Sequence, residues 1–178
     1  LLGIVVALLR MSRVKLLKVL AGAYIEFLRG TPLLVQVLIV FYGLPQMGVK
    51  LPRMTAGTVA LVINSAAYMA EIVRSGIQAI DGGQTEASRS LGMNGAQTMI
   101  YIILPQAIKN ILPAIGNEFV SIIKESSILY TIGIYELTYQ ANKLASTNFR
   151  YLETLTISAL IYFVLTFTAS RLLGMLER

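Results

Sequence analysis

The chain has 178 residues, of which 56% are hydrophobic and only 13% are charged. Soluble domains carry about 25% charged residues, so this composition, with a mean hydropathy of +0.70, indicates a membrane protein. The sequence contains no cysteine and no histidine, which excludes disulfide bonds, thiol nucleophiles, imidazole bases and the usual zinc and haem ligands. We therefore expect a conduit with no cofactor bound by this chain, rather than an enzyme.

The apolar stretches, taken in chain order, predict five membrane helices in an all-α protein. A helix needs roughly 20 mostly apolar residues to cross the hydrocarbon core. The candidate stretches are residues 1–9, 32–44 completed by part of 21–28, 57–72, 100–123 and 154–170. Residues 1–9 make only half a span, and we expect that this first helix is truncated at its N-terminus. No repeat or linker interrupts the chain, so residues 1–178 are expected to form a single transmembrane domain.

Basic residues predict the orientation in the membrane. One group follows the first helix, flanks or lies in the loop between the third and fourth helices, or follows the last helix: Arg10, Arg13, Lys15, Lys18, Arg29, Arg74, Arg89, Arg171 and Arg178. A smaller group falls on the other side: Lys50, Arg53, Lys143 and Arg150. The larger group belongs in the cytoplasm, so the N-terminus lies outside and the C-terminus inside. The net charge of +6 then reflects topology and requires no nucleic acid, although a basic patch can also bind anionic lipid headgroups.

Residues 14–28 carry apolar side chains at helical spacing next to Arg13, Lys15 and Lys18. A helix with one apolar and one basic side suits the membrane interface. The pattern therefore predicts an interfacial helix that leads into the second span.

A polar segment, residues 81–100, separates the third and fourth apolar stretches, and we call it the Glu86 loop. Asp81 with Gln84, and Asn94 with Gln97, have the spacing of capping boxes. Gly92 between them suits the left-handed position that ends a helix. The loop is therefore expected to be two short helices joined at Gly92, on the cytoplasmic side.

The Glu86 loop carries a recognisable pattern. Glu86-Ala87-Ser88 is followed by three residues, Gly92, nine residues and Ile102-Ile103-Leu104-Pro105. This resembles the EAA loop of ABC importer permeases, with Ser88 as a departure because the family has alanine there. Residues 26–36, 64–74 and 117–129 are similar to the polar amino-acid branch of the same family, with Ser126 in place of a common threonine.

The resemblance implies a type I permease core of five transmembrane helices in a bacterial-type inner (cell) membrane. Such permeases form dimers, here expected to be homodimers, bind two cytoplasmic ABC ATPase subunits and receive substrate from an extracytoplasmic amino-acid-binding protein. The sequence has no G-x-x-x-x-G-K-[ST] motif, so ATP and Mg²⁺ are expected on the partner ATPase.

The resemblance also assigns the Glu86 loop to coupling with the ATPase. Glu86 is expected early in a helix, where the helix dipole favours a carboxylate, and is expected to pair with a basic residue of the ATPase. The alternative is that Glu86 only stabilises its own helix. The other expected coupling residues are Ala87 and Ser88 for close approach, Leu91 and Met93 for an apolar groove, and Gly92 for the turn.

Polar residues within the spans are the candidates for substrate binding, because such residues usually face a protein interior or a water-filled path. The candidates are Asn64, Ser65, Tyr68, Asn117, Glu118 and Glu153. Glu118 or Glu153 can bind a cationic side chain, which favours a basic amino acid such as arginine or lysine. Alternatives stay open: Glu153 at a helix start, Glu71 paired with Arg74 within its helix, and a path that passes substrate without binding it.

The main functional alternative is an ion-coupled secondary amino-acid transporter that uses Glu118 or Glu71. Intramembrane carboxylates suit proton coupling. The absence of inverted repeats in the sequence argues against that class.

Overall fold

The computed structural model describes residues 1–176, and all regular structure in that part of the chain is helical. Eight helices follow one another: α1 (Leu2–Arg10), α2 (Lys15–Gly30), α3 (Leu33–Gln46), α4 (Arg53–Gln78), α5 (Gly82–Ser90), α6 (Gly95–Ile132), α7 (Leu137–Asn148) and α8 (Tyr151–Leu176). Within α3 and α6, Ile39–Gly43 and Thr98–Ile103 have π-helical turns. The last turns of α6, Ser126–Ile132, are a 3-10 helix.

Three helices, α4, α6 and α8, are each long and apolar enough to cross a membrane. Helices α2 and α3 meet that criterion only together, and they are bent by 107° relative to each other. The bend lies at Thr31 and Pro32, whose backbones are both extended. Helix α2 ends here because proline has no backbone N–H and disfavours a helical conformation of the residue before it. Residues 21–28 therefore do not extend the second span along one axis.

Two helix bounds differ from the sequence-based expectation. Helix α6 begins at Gly95, five residues before residue 100, because Asn94 caps it. Helix α8 continues past Ser170 to Leu176, so Arg171 lies inside the helix rather than after it, and Arg178 lies outside the described residues.

Helix α4 forms the centre of the fold and packs against α1, α2, α3 and α6. Small residues make these approaches close. A Cβ atom on Gly3 of α1 would lie 2.6 Å from the Met69 Cβ of α4, and one on Gly57 would lie 2.9 Å from the Ile134 Cδ1. Small residues allow helix backbones to approach in this way in membrane proteins.

Helix α8 differs from α4 because most of its side chains are exposed. Large apolar residues such as Ile157, Leu160 and Phe163 are more than half exposed in this single chain. That surface suits lipid or another protein chain rather than water.

Candidate functional site

The Glu86 loop has the two-helix form expected from its sequence. The Asp81 carboxylate caps α5 by accepting a hydrogen bond of 2.6 Å from the backbone N–H of Gly83. The chain turns at Gly92, whose φ of +83° is left-handed. Asn94 and Gln97 then form a capping box at the start of α6, with bonds of 2.8 and 3.0 Å. The joint at Gly92 and the second capping box are confirmed, whereas Asp81 bonds to Gly83 rather than forming a box with Gln84.

The outer surface of the loop contains most of the expected coupling residues. Glu86, Ala87 and Gly92 are exposed, and Leu91 has 84% of its surface accessible, whereas Met93 is half-buried. In residues 1–176 no lysine or arginine nitrogen lies within 4.0 Å of the Glu86 carboxylate. The surface thus exposes a carboxylate and a large apolar side chain.

Glu86 does not lie at the start of its helix. It is the fifth residue of α5, and the first turn of α5 contains no acidic residue. Since the favourable effect of the helix dipole falls off within the first turn, the dipole gives little reason for a carboxylate at this position.

Ser88 points into the loop rather than out of it. Only 3% of its surface is exposed. Its hydroxyl group bonds to the carbonyl of Thr85 at 2.9 Å and to the hydroxyl of Thr98 at 3.0 Å. Ser88 therefore joins α5 to the beginning of α6, and it does not contribute to the exposed surface.

Asn64 is held in a buried polar junction between α3 and α4. Its side-chain amide donates a hydrogen bond of 2.9 Å to Gln36 Oε1. Gln36 Nε2 in turn donates to the carbonyl oxygens of Leu28, at 2.8 Å, and Thr31, at 3.1 Å. These bonds hold the bend between α2 and α3 against α4. The Asn64 side chain therefore has a structural role in joining these helices.

Tyr68 lies in an ionic cluster towards the C-terminal part of α4. The Arg29 guanidinium stands 5.4 Å from the centre of the Tyr68 ring and 3.8 Å from the Glu71 carboxylate. Arg74 Nε donates to Glu71 at 2.9 Å. The pairing of Glu71 with Arg74 within one helix is thereby confirmed, and Tyr68 packs beside it.

The remaining candidates do not form one site. Ser65 of α4 faces the half-buried Glu118 of α6. Asn117 instead lines a narrow cleft of about 80 Å³ between α6 and α8, together with Ser170. Glu153 is exposed in the first turn of α8. Ser65 and Glu118 are thus the expected substrate residues that the structure brings together.

A groove between three helices was not expected from the sequence. Helices α6, α7 and α8 border this open groove of about 530 Å³, which we call the outer groove. Its polar lining residues are Lys124, Ser127, Thr138, Ser158, Tyr162 and Thr166. They come from three separate segments. The sequence signal was the serine, tyrosine and threonine at every fourth position of α8, a helix that also carries polar residues on other faces, such as Thr156 and Thr168.

Glu136 supports one wall of the outer groove. Its carboxylate caps α7 by accepting from the backbone N–H groups of Thr138 and Tyr139, at 2.7 and 2.6 Å. It also accepts a hydrogen bond of 2.8 Å from the Tyr162 hydroxyl. Glu136 therefore fixes α7 to α8, and its negative charge lies directly behind Tyr162.

The whole chain, residues 1–178, matches the protein family described as the binding-protein-dependent transport system inner membrane component. The chain belongs to this family. A solved structure described as an amino acid ABC transporter with histidines is 55% identical to the permease and superposes with a TM-score of 0.94. That similarity covers 99% of the permease and 83% of the other chain.

Two relatives from Bacillus subtilis (strain 168) carry different substrate names. The arginine transport system permease protein ArtQ is 45% identical over 165 residues, which is 92% of the permease and 75% of ArtQ. The probable glutamine ABC transporter permease protein GlnM is 42% identical over 177 residues, which is 99% of the permease and 82% of GlnM. Since the two identities are so close, the amino acid must be argued from individual side chains.

The permease is a multi-pass inner membrane subunit of an amino-acid ABC transporter and is not an enzyme. An ion-coupled secondary transporter is not favoured by this family membership. The family works with ATPase partners and, as its description says, with a binding protein. Among the described residues, no three aspartate or glutamate side chains come together as a metal site.

Proposed function

We propose that the permease imports basic amino acids and that Glu118 binds the cationic side chain. The observation that carries this proposal is the position of Glu118, half-buried within α6 and facing the hydroxyl of Ser65. In residues 1–176 no lysine or arginine nitrogen lies within 4.0 Å of its carboxylate. An intramembrane carboxylate is costly unless it faces a partner or a water-filled path, and a guanidinium or ammonium group in that path would satisfy it.

We further propose that two copies of this single-domain chain form a homodimer and bind two cytoplasmic ATPase subunits, which hold ATP and Mg²⁺. Each Glu86 loop docks on one ATPase through the exposed Glu86, Ala87 and Leu91 and the half-buried Met93. Closure of the ATPase pair then moves α6, which begins within the loop. Substrate arrives from an amino-acid-binding protein on the opposite face of the membrane.

The test is uptake into liposomes that contain the permease, its ATPase and its binding protein. Arginine should be taken up in an ATP-dependent manner and should be favoured over citrulline, which has nearly the same shape but no side-chain charge. Glu118→Gln should reduce arginine uptake by roughly tenfold or more, because charge-assisted hydrogen bonds contribute about 1.5–3 kcal/mol. Glu153→Gln is the matched control and should have little effect, since Glu153 is exposed at the start of α8.

Two results would overturn the proposal about basic substrates. One is a wild-type complex that takes up glutamine or glutamate but neither arginine nor lysine. The other is a Glu118→Gln variant that discriminates arginine from citrulline as well as the wild type does.

A further inference from the structure

We infer that the outer groove is a second amino-acid subsite, in which Lys124 binds the α-carboxylate and the Tyr162 wall binds the α-ammonium group. The inference rests on amino-acid import by the permease, not on the proposal about basic side chains and Glu118. The groove would bind the part that all α-amino acids share, whereas Glu118 would select the side chain. The two proposals can therefore fail separately.

The groove lies near the outer end of the membrane helices. With the orientation expected from the basic residues, Lys124 and Ser127 stand where α6 reaches the extracytoplasmic side. Helix α7 follows on that side, and α8 then returns through the membrane. A substrate released by an extracytoplasmic binding protein would reach this groove before it reached the depth of Glu118.

Helix α8 contributes a polar stripe to the groove. Ser158, Tyr162 and Thr166 follow one another at every fourth position, so they share one face of the helix. Ser158 is buried and the other two are half-buried, although Ile157 and Val164 on the same helix are 57% and 59% exposed. Polar side chains also occur on exposed faces of α8, at Thr156 and Thr168, but those on the groove side are shielded by protein, where polar residues of a membrane helix can line a substrate path.

Charge distinguishes the two walls of the groove. On the α6 wall, Lys124 is exposed, and in residues 1–176 no carboxylate oxygen lies within 4.0 Å of its ammonium group. A lysine ammonium has three hydrogen-bond donors and no acceptor. It therefore offers a binding site for a carboxylate group.

The opposite wall favours a hydrogen-bond donor. The Tyr162 hydroxyl gives its proton to Glu136 at 2.8 Å, so its oxygen can only accept further hydrogen bonds. The Thr138 hydroxyl, 3.3 Å from the same oxygen, is then the donor in that contact, which leaves the Thr138 oxygen and the second lone pair of the Tyr162 oxygen as acceptors for a ligand. An acceptor backed by a negative charge suits an ammonium group, so the two walls together complement a zwitterion.

The size of the groove agrees with a small ligand. Its volume of about 530 Å³ falls within the roughly 300–1,000 Å³ that small-molecule sites occupy. A phospholipid headgroup is the other source of an anion beside Lys124. If a headgroup occupies the groove, added amino acids will not protect the groove from chemical modification, and the second experiment below tests this difference.

The first experiment measures equilibrium binding of L-arginine and L-glutamine to the permease–ATPase complex in nanodiscs, without the binding protein. Each amino acid is compared with its α-amide, L-argininamide or L-glutaminamide. We expect Lys124→Gln to weaken binding of both amino acids by about tenfold or more, as expected for a lost charged hydrogen bond, and to leave the amides unchanged. Lys124→Arg should restore discrimination, and Lys143→Gln, on the same side of the membrane, is the control.

The second experiment does not depend on a loss of function. The chain has no cysteine, so Ser127→Cys introduces a single thiol into the groove with little change in size. A saturating amino acid should slow the reaction of this thiol with a maleimide several-fold, whereas an exposed Ser146→Cys outside the groove should react at an unchanged rate. Modification is read by mass on the permease chain itself.

The inference is overturned if Lys124→Gln keeps the wild-type discrimination between acid and amide. It is also overturned if amino acids fail to protect Ser127→Cys, as they would with a lipid headgroup in the groove. Both subsites are supported if Glu118→Gln loses the preference for arginine over citrulline while amino acids still protect Ser127→Cys. If amino acids protect Ser127→Cys but Glu118→Gln keeps the wild-type preference, the outer groove is supported and the role of Glu118 is rejected.

Discussion

The hydroxyl groups of Ser88 and Thr98 are joined by a 3.0 Å hydrogen bond across the turn at Gly92. Each residue has only 3% of its surface exposed. Ser88 belongs to α5, and Thr98 begins the π-helical turns of α6. The bond therefore lies on the direct path from the proposed docking surface to a membrane-crossing helix.

We predict that removing this bond reduces the amount of substrate transported per ATP hydrolysed. Ser88→Ala leaves the buried Thr98 hydroxyl without its side-chain partner, at a cost of about 1 kcal/mol. Thr98→Val should have a similar effect, whereas Thr98→Ser keeps the hydroxyl and should behave like the wild type. The measurement is uptake and ATP hydrolysis in the same liposomes.

The double variant Ser88→Ala with Thr98→Val decides how the residues act. If they act through their bond, the double variant should be no worse than the worse single variant. Fully additive losses would show that the two side chains contribute independently. An unchanged transport-to-ATP ratio in all variants would show that the bond has no part in coupling.

A second prediction concerns Gly92. Its left-handed φ of +83° is unfavourable for a residue with a side chain, although the space around it is open. Gly92→Ala should cost about 1 kcal/mol in backbone strain and should impair uptake by changing the angle between α5 and α6. Thermal unfolding and ATP-dependent uptake are measured together.

Gly48 provides a matched control because its φ is +86° and nothing surrounds it within 4 Å. Gly48→Ala imposes the same kind of strain outside the Glu86 loop. We expect the two alanine variants to lose similar stability, but only Gly92→Ala should lose transport. Equal losses of transport would mean that strain alone, rather than the shape of the loop, is responsible.

The sequence predicted the features that depend on local patterns. The capping box at Asn94, the left-handed turn at Gly92 and the pair of Glu71 with Arg74 all join residues a few positions apart. Their geometry follows from helix periodicity and terminal hydrogen bonding. The three long membrane helices, α4, α6 and α8, similarly needed only the length and hydropathy of each segment.

The sequence did not predict features that depend on how distant helices pack. The partner of Asn64 is Gln36, 28 residues away, and Tyr162 bonds to Glu136, 26 residues away. Periodicity places a residue on a helix face but does not say which helix that face meets. The direction of Ser88 was missed for the same reason, since a small residue in a docking motif suits either side of the helix.

A third prediction tests the role of Glu86. Because Glu86 is exposed and lies beyond the first turn of α5, Glu86→Gln should change stability by no more than about 0.5 kcal/mol. It should weaken binding of the ATPase, and the difference from the wild type should shrink at high salt, since salt screens exposed charges. Sedimentation or pull-down of the solubilised complex over a range of salt concentrations measures this. A variant that unfolds more easily but binds the ATPase normally would favour the alternative of helix stabilisation.

A fourth prediction concerns Asn64 and reverses the expectation from the sequence. Asn64→Ala removes the donor to the buried Gln36 Oε1, so we expect a loss of about 1–3 kcal/mol in stability with no change in the order of preferred substrates. Asn117→Ala, at an exposed position on α6, is the comparison and should leave thermal unfolding nearly unchanged. If Asn64→Ala instead kept its unfolding temperature and altered which amino acids are taken up, Asn64 would contact substrate, and its bond to Gln36 would have to break during the transport cycle.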